Sequence, residues 1–235
     1  DELDKKLDEH IKEIWTVYVP IKKLLEKLIS LVRLEKRGTK ILIEKISSNI
    51  FIIEKINNFG FEIFLDLKLH DIPNTVSKAL QNILKLNIWM TNIHLSGGRE
   101  MIEASVNKIK EFNNETLLVG VTVLTSLDDK NIEEIGFYRN TEESTLVLAK
   151  LGQEIGIDGV VASLNSVSEI KTTFGNDFVT VTPGIRMQQN DEDQKRSGSL
   201  FDAIQFGSDF VVVGRELTQA KNKTDVINQF NSLMD

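Results

Sequence analysis

Short runs rich in β-branched and aromatic residues alternate along this chain with longer stretches whose apolar positions recur at helical spacing. Ile21, Leu24, Leu25, Leu28 and Ile29 fall at i, i+3, i+4, i+7 and i+8, which predicts an amphipathic helix. Ile102, Val106 and Ile109 predict another, and Leu146, Leu148, Ala149 and Leu151 a third that stops at Gly152. Eight strand candidates lie among such segments, at residues 14–19, 31–36, 62–66, 89–94, 117–122, 159–162, 179–183 and 210–213. Strands that alternate with helices in this way build a parallel sheet. Eight βα pairs with no linker between them predict an α/β fold, a (β/α)8 TIM barrel, as a single domain over residues 1–235. The other arrangement is an open doubly wound sheet, but no GxGxxG follows the first strand to support its dinucleotide-binding form. The polar stretch 187–199 is the one long loop, and loops of that length in a barrel often serve as lids.

Length and composition agree with that picture. A chain of 235 residues that is 41% hydrophobic can fill one barrel, a fold that takes roughly 200 to 250 residues. The net charge of −7 gives no global positive field for nucleic acid or an anionic membrane, so an anionic ligand needs a local basic cluster. The chain has no cysteine, which rules out disulfides, thiolate metal sites and cysteine nucleophiles. His10, His70 and His94 are widely spaced and form no HExxH pattern, so no metal site is predicted. Residues 1–13 are charged and amphipathic, unlike a secretory signal, and no run of about 18 apolar residues exists. A soluble, cytoplasmic protein is the expectation.

The chemistry concentrates in Phe64-Leu-Asp-Leu-Lys-Leu-His-Asp-Ile-Pro-Asn-Thr-Val76. Alternation on a strand puts Asp66 and Lys68 on one face. Asp71 follows at the strand's exit, where Pro73 and Asn74 mark a turn into a helix. Taken alone, an Asp-x-Lys pair reads more readily as an ion-pair network that fixes a strand end. A second cluster sits where barrels commonly hold phosphate, in the loops after strands seven and eight. Those loops carry Thr182-Pro-Gly-Ile-Arg186 and Gly214-Arg215, and a guanidinium grips phosphate oxygens in bidentate fashion. Either turn alone also reads as an ordinary turn with a solvated arginine.

The run DLKLHDIPNTV closely resembles the signature of the orotidine 5'-monophosphate decarboxylase family. That resemblance implies cofactor-independent decarboxylation of orotidine 5'-monophosphate to uridine 5'-monophosphate, the last step of pyrimidine nucleotide synthesis. In this likeness Lys68, Asp66 and Asp71 are catalytic, with Lys68 held between the two carboxylates, and Asp71 reaches into the partner's site in a homodimer. The nucleotide phosphate would be held by Arg186, by Gln194 within Asp193-Gln-Lys-Arg196, and by Gly214 and Arg215, with 187–199 closing as a lid. Thr75, Lys36 of Lys36-Arg37-Gly38, and Thr125 or Ser126 would contact the rest of the substrate. His94, which also matches the family, reads more simply as a core histidine satisfied by backbone.

The likeness weakens in residues 1–50, where the candidate strand 14–19 ends without the acidic residue the family places there. Glu216, where a proline is usual, and Ser197-Gly-Ser-Leu200 are further departures. Two other readings share the pattern. One is an Mg2+-dependent phosphosugar decarboxylase or synthase with the same Asp-x-Lys-x-x-Asp logic, and the other is a non-catalytic nucleotide-binding barrel.

Overall fold

The core strands are short and largely buried, and each runs parallel to its neighbours in the sheet. The structure, a computed structural model, describes residues 41–43, 50–58, 61–112, 115–187 and 198–234. In chain order these form β1 (Ile41–Ile43), α1 (Ile50–Asn58), β2 (Ile63–Leu69), α2 (Pro73–Ile83), β3 (Met90–His94), α3 (Arg99–Glu111) and β4 (Leu117–Val121). They continue as α4 (Asp129–Glu134), α5 (Thr141–Ile155), β5 (Gly159–Val161), α6 (Leu164–Phe174) and β6 (Val179–Pro183). The last are β7 (Ile185–Arg186), β8 (Gly198–Ser199), α7 (Leu200–Gln205), β9 (Phe210–Val212), α8 (Arg215–Thr218) and α9 (Lys223–Met234). Seven strands make one sheet in the order β1-β2-β3-β4-β5-β6-β9, and β7 and β8 pair separately.

The sheet curls. Trp89, just before β3, and Phe210, at the start of β9, meet edge-to-face with ring centroids 4.9 Å apart, although β4, β5 and β6 lie between their strands. Such a contact across the sheet requires a concave inner face. Phe64, Met90, Val119 and Val181 fill that interior, with Val161, Val179 and Val212 packed against them. The alternate residues, such as Ile63, Leu65, Leu118 and Val160, are buried on the other face, the one alternation turns toward the helices.

Local chemistry sets where the helices begin and end. Pro73 opens α2, where its fixed φ suits the first turn. Asp128 and Asn131 cap α4 reciprocally, and the Asn140 side chain accepts the N–H of Glu143 at the start of α5. The stop expected at Gly152 falls four residues later, at Gly156, which is left-handed with φ 97°. Gly152 is instead helical and closely packed: a Cβ there would lie 2.3 Å from Ile157 Cδ1.

Aspartates staple the lower rim, at the N-terminal ends of the strands. Asp158, just before β5, accepts the Leu118 N–H of β4 at 2.7 Å. Asp209, just before β9, accepts the Thr180 N–H of β6 at 2.6 Å and its hydroxyl at 2.9 Å. Lys171 Nζ pairs with Asp209 at 2.6 Å and donates to the carbonyls of Asn176 and Phe178. Each staple joins adjacent strands and so fixes their register.

Six of the expected strands appear within a few residues of their predicted bounds, while the candidates at 14–19 and 31–36 lie outside the described residues. Strand β1 was not expected, because three apolar residues show no alternation to read. The expected loop 187–199 is bounded by the unforeseen pair β7 and β8. Gly159, registered against Val179, sits so close that a Cβ would fall 2.1 Å from the Val179 carbonyl oxygen. Gly159→Ala should therefore lower stability by ~1–3 kcal/mol, read as a shift in the urea midpoint at constant m-value.

Candidate active site

Strand β2 pairs regularly with β3 at Phe64↔Met90 and Leu65↔Thr91, then jumps to Leu69↔Ile93. Asp66, Leu67 and Lys68 thus stand opposite the single residue Asn92, a bulge in the middle of the reactive motif. Lys68 carries the fault, with φ at 49°. A left-handed conformation costs a non-glycine residue ~1–3 kcal/mol and persists only where the surroundings over-determine it.

What holds it is visible in the hydrogen bonds. The Lys68 N–H, removed from the ladder, donates to Asn92 Oδ1 at 2.7 Å. Asn92 Nδ2 donates in turn to Asp66 Oδ1 at 2.5 Å. One residue earlier, the Thr91 hydroxyl donates to the Leu65 carbonyl at 3.0 Å. The kinked backbone lets Lys68 Nζ fold back onto Asp66, at 2.7 Å from Oδ1 and 2.6 Å from Oδ2. The carboxylate is buried, with 10% of its side chain exposed, whereas the lysine side chain is 37% exposed. A buried anion therefore carries a partly exposed cation.

Asp71 does not join this pair among the described residues. It is exposed and accepts the N–H of its neighbour Ile72 at 2.7 Å, so within one chain Lys68 is held by one carboxylate rather than two. Thr75 lies exposed in the first turn of α2. His94, at the end of β3, is half-buried and stacks on His70 with centroids 5.0 Å apart, in place of the expected backbone partner. Burial, then the His70 ring and the Lys68 charge, hold the His94 imidazole below its ordinary pKa, with Asp66 opposing.

The remaining residues follow β4, β6 and β9. Thr125 is half-buried and Ser126 exposed, in a turn closed by the Leu127 N–H bonding to Leu124 O. Thr122 is committed elsewhere, its hydroxyl donating to Val161 O at 2.8 Å. Gly184, with φ 77°, turns the chain from β6 into β7, where Arg186 is half-buried. Gly214 follows β9 and Arg215 opens α8. Because Pro183 is registered opposite Val212, these two glycine–arginine turns leave neighbouring strands side by side. Glu216 helps join them, accepting the Met187 N–H at 2.9 Å. Lys36 and Gln194 lie outside the described residues.

All seven strands run the same way, so the ammonium over β2, the turn after β4 and the paired turns over β6 and β9 share one edge. A curled parallel sheet with its polar residues gathered at the C-terminal ends of the strands defines a (β/α)-barrel of the enzyme type, with the site on its upper face. The chain belongs to the Orotidine 5'-phosphate decarboxylase / HUMPS family, which it matches over residues 21–230.

Orotidine 5'-phosphate decarboxylase of Hydrogenovibrio crunogenus is 44% identical over 182 residues, 77% of this chain and 77% of that protein. The protein of the same name from a Marinomonas species is 46% identical over 183 residues, covering 77% and 78%. Among solved structures, orotidine 5'-phosphate decarboxylase from Lactobacillus acidophilus superposes with a TM-score of 0.69 at 33% identity, over 78% of this chain and 80% of that one. An uncharacterized conserved protein from Geobacillus kaustophilus gives 0.75 at 29% identity, over 92% and 96%.

Sequence reasoning passed over Asn92, although a signal was present: it is an amide in a short strand whose five residues are all in or near the core, two positions before His94 and so on the same face. It also passed over the His70 stack and the Glu216 bond, which join residues distant in sequence.

The depressed His94 pKa has a consequence for stability. The unfolded imidazole titrates near 6.5 and the folded one below it, so the folded state binds its proton more weakly. The contribution is present in full above about pH 6.5 and is lost as pH falls through the folded value. Urea midpoints at pH 7.5 and 5.5 should show the wild type losing more stability on acidification than His94→Gln. An equal loss in both would show that His94 carries none of it.

Proposed function

We propose that this chain decarboxylates orotidine 5'-monophosphate, releasing carbon dioxide and uridine 5'-monophosphate. The observation that carries the reading is the two-oxygen grip of a buried Asp66 on a partly exposed Lys68, in a chain of this family. When the bond from ring carbon six to the carboxylate breaks, its electron pair stays on that carbon, and no neighbouring group delocalises it. The Lys68 ammonium supplies a fixed positive charge where the negative charge develops, with no reorientation needed at the moment of reaction. It then donates a proton to carbon six and is itself reprotonated from solvent. Asp66 stands close enough to Lys68 to face the departing carboxylate, and repulsion there favours its loss.

Arg186, Gln194, Gly214 and Arg215 take the phosphate in this reading, and Lys36, Thr75 and Thr125 or Ser126 the sugar and base. The side-by-side turns over β6 and β9 support the phosphate assignment. Binding energy gathered at the phosphate is spent on holding the ring against Lys68, so the two ends of the substrate act together. The protein works as a cytoplasmic homodimer in which Asp71 completes the partner's site. Support comes from the exposure of Asp71 beside Ile72, an apolar side chain 66% exposed at the same edge.

Loss of orotidine 5'-monophosphate absorbance on adding the protein tests the activity. Lys68→Ala should lower kcat by about 10^3-fold or more while circular dichroism stays native, since both the fixed charge and the proton donor are lost. Unchanged turnover in that variant sinks the mechanism, and abolition of wild-type turnover by EDTA points to the Mg2+-dependent phosphosugar type instead. Arg186→Ala should cut kcat/KM by roughly 10- to 100-fold, the worth of a charge-assisted phosphate contact. Orotidine, which lacks the phosphate, should be spared that penalty.

A further inference from the structure

We propose that Asn92 is a positioning residue of the reaction centre, acting on the substrate only through Asp66 and Lys68. The inference rests on the decarboxylase reading above and deepens it. Asn92 is fully buried in the central strand β3, and its one amide group spans the bulge in β2. The oxygen takes the Lys68 N–H at 2.7 Å, and the nitrogen binds Asp66 Oδ1 at 2.5 Å.

These two bonds do different things. A backbone N–H displaced from a ladder needs a new acceptor, and Asn92 Oδ1 supplies one at the residue whose φ is 49°. The bond from Nδ2 fixes the rotation of the Asp66 carboxylate, which accepts Lys68 Nζ through both oxygens. One side chain therefore sets both ends of the lysine, its backbone directly and its ammonium by way of the carboxylate. An amide is the group that accepts on one side and donates on the other without adding charge beside a buried anion. Serine is too short to span both partners, and aspartate would set a second carboxylate against the first.

Steady-state kinetics on Asn92→Ala and Asn92→Asp, beside the wild type, test this. Asn92→Ala should lower kcat by about 10- to 100-fold, the scale of a displacement near 1 Å at a reacting group, with KM changed less than about threefold. Asn92→Asp keeps the acceptor for the Lys68 N–H but replaces the donor to Asp66, so its kcat should fall further as pH rises and both carboxyls ionise. A residue that merely supported the fold would lower the melting temperature of both variants and leave kcat and its pH profile unmoved.

Hydrogen exchange at the Lys68 amide reads the clamp without turnover. It should be slow in the wild type and Asn92→Asp and fast in Asn92→Ala. Wild-type kcat in either folded variant, or a Lys68 amide still protected in Asn92→Ala, overturns the proposal. Should Asn92→Ala not fold, Asn92→Asp decides through its kcat and pH profile. A wild type that releases no carbon dioxide overturns the decarboxylase reading and with it the catalytic half of this one, while the exchange result still decides whether Asn92 holds the Lys68 backbone.

Discussion

An ammonium bound to a buried carboxylate is the interaction on which the upper face of this barrel depends, and a regular strand would hold it differently. Alternation alone would send Asp66 and Lys68 out of β2 in parallel. The bulge and the left-handed Lys68 fold the lysine back onto the acid instead. Such a fault is stable because β3 supplies side-chain partners, from Thr91 and Asn92, where the ladder has none. The strain is thus confined to three residues, with regular pairing before and after it.

The rest of the fold provides the rigid frame that this local distortion needs. A curled sheet packed on both faces gives β3 no freedom to follow β2 if the bulge relaxes. Turns that carry Gly184 and Gly214 leave adjacent strands at the same edge, so both turns are tied to the same sheet as Lys68. Glu216 adds a cross-link between those turns through the Met187 N–H.

Much of this was legible in the residues. Runs such as 117–122 and 179–183 are apolar, bounded and β-branched, and the structure places strands there. The motif around Lys68 was legible because its charges interrupt an apolar run. What could not be read depends on contacts between distant positions. Nothing near Asn92 announces that its partners are Asp66 and Lys68, 26 and 24 residues away. Strand β1 is too short to show a period, and Gly152 serves close packing rather than a helix stop, since Ile157 packs where its side chain would otherwise stand. The resemblance places Asp71 beside Lys68, yet within one chain the strand's exit turns it onto the Ile72 N–H, which spacing alone does not foretell.

The aspartate staples at the lower rim, Asp158 on Leu118 and Asp209 on Thr180 with Lys171, sit at the opposite ends of the strands from the chemistry. Register is secured there by groups that never approach a ligand. The two rims are therefore separable targets for change: substitutions in the upper loops can explore new substrates while the lower rim keeps the strands aligned. Lineages that share this scaffold can diverge in what they bind without having to rediscover how to fold.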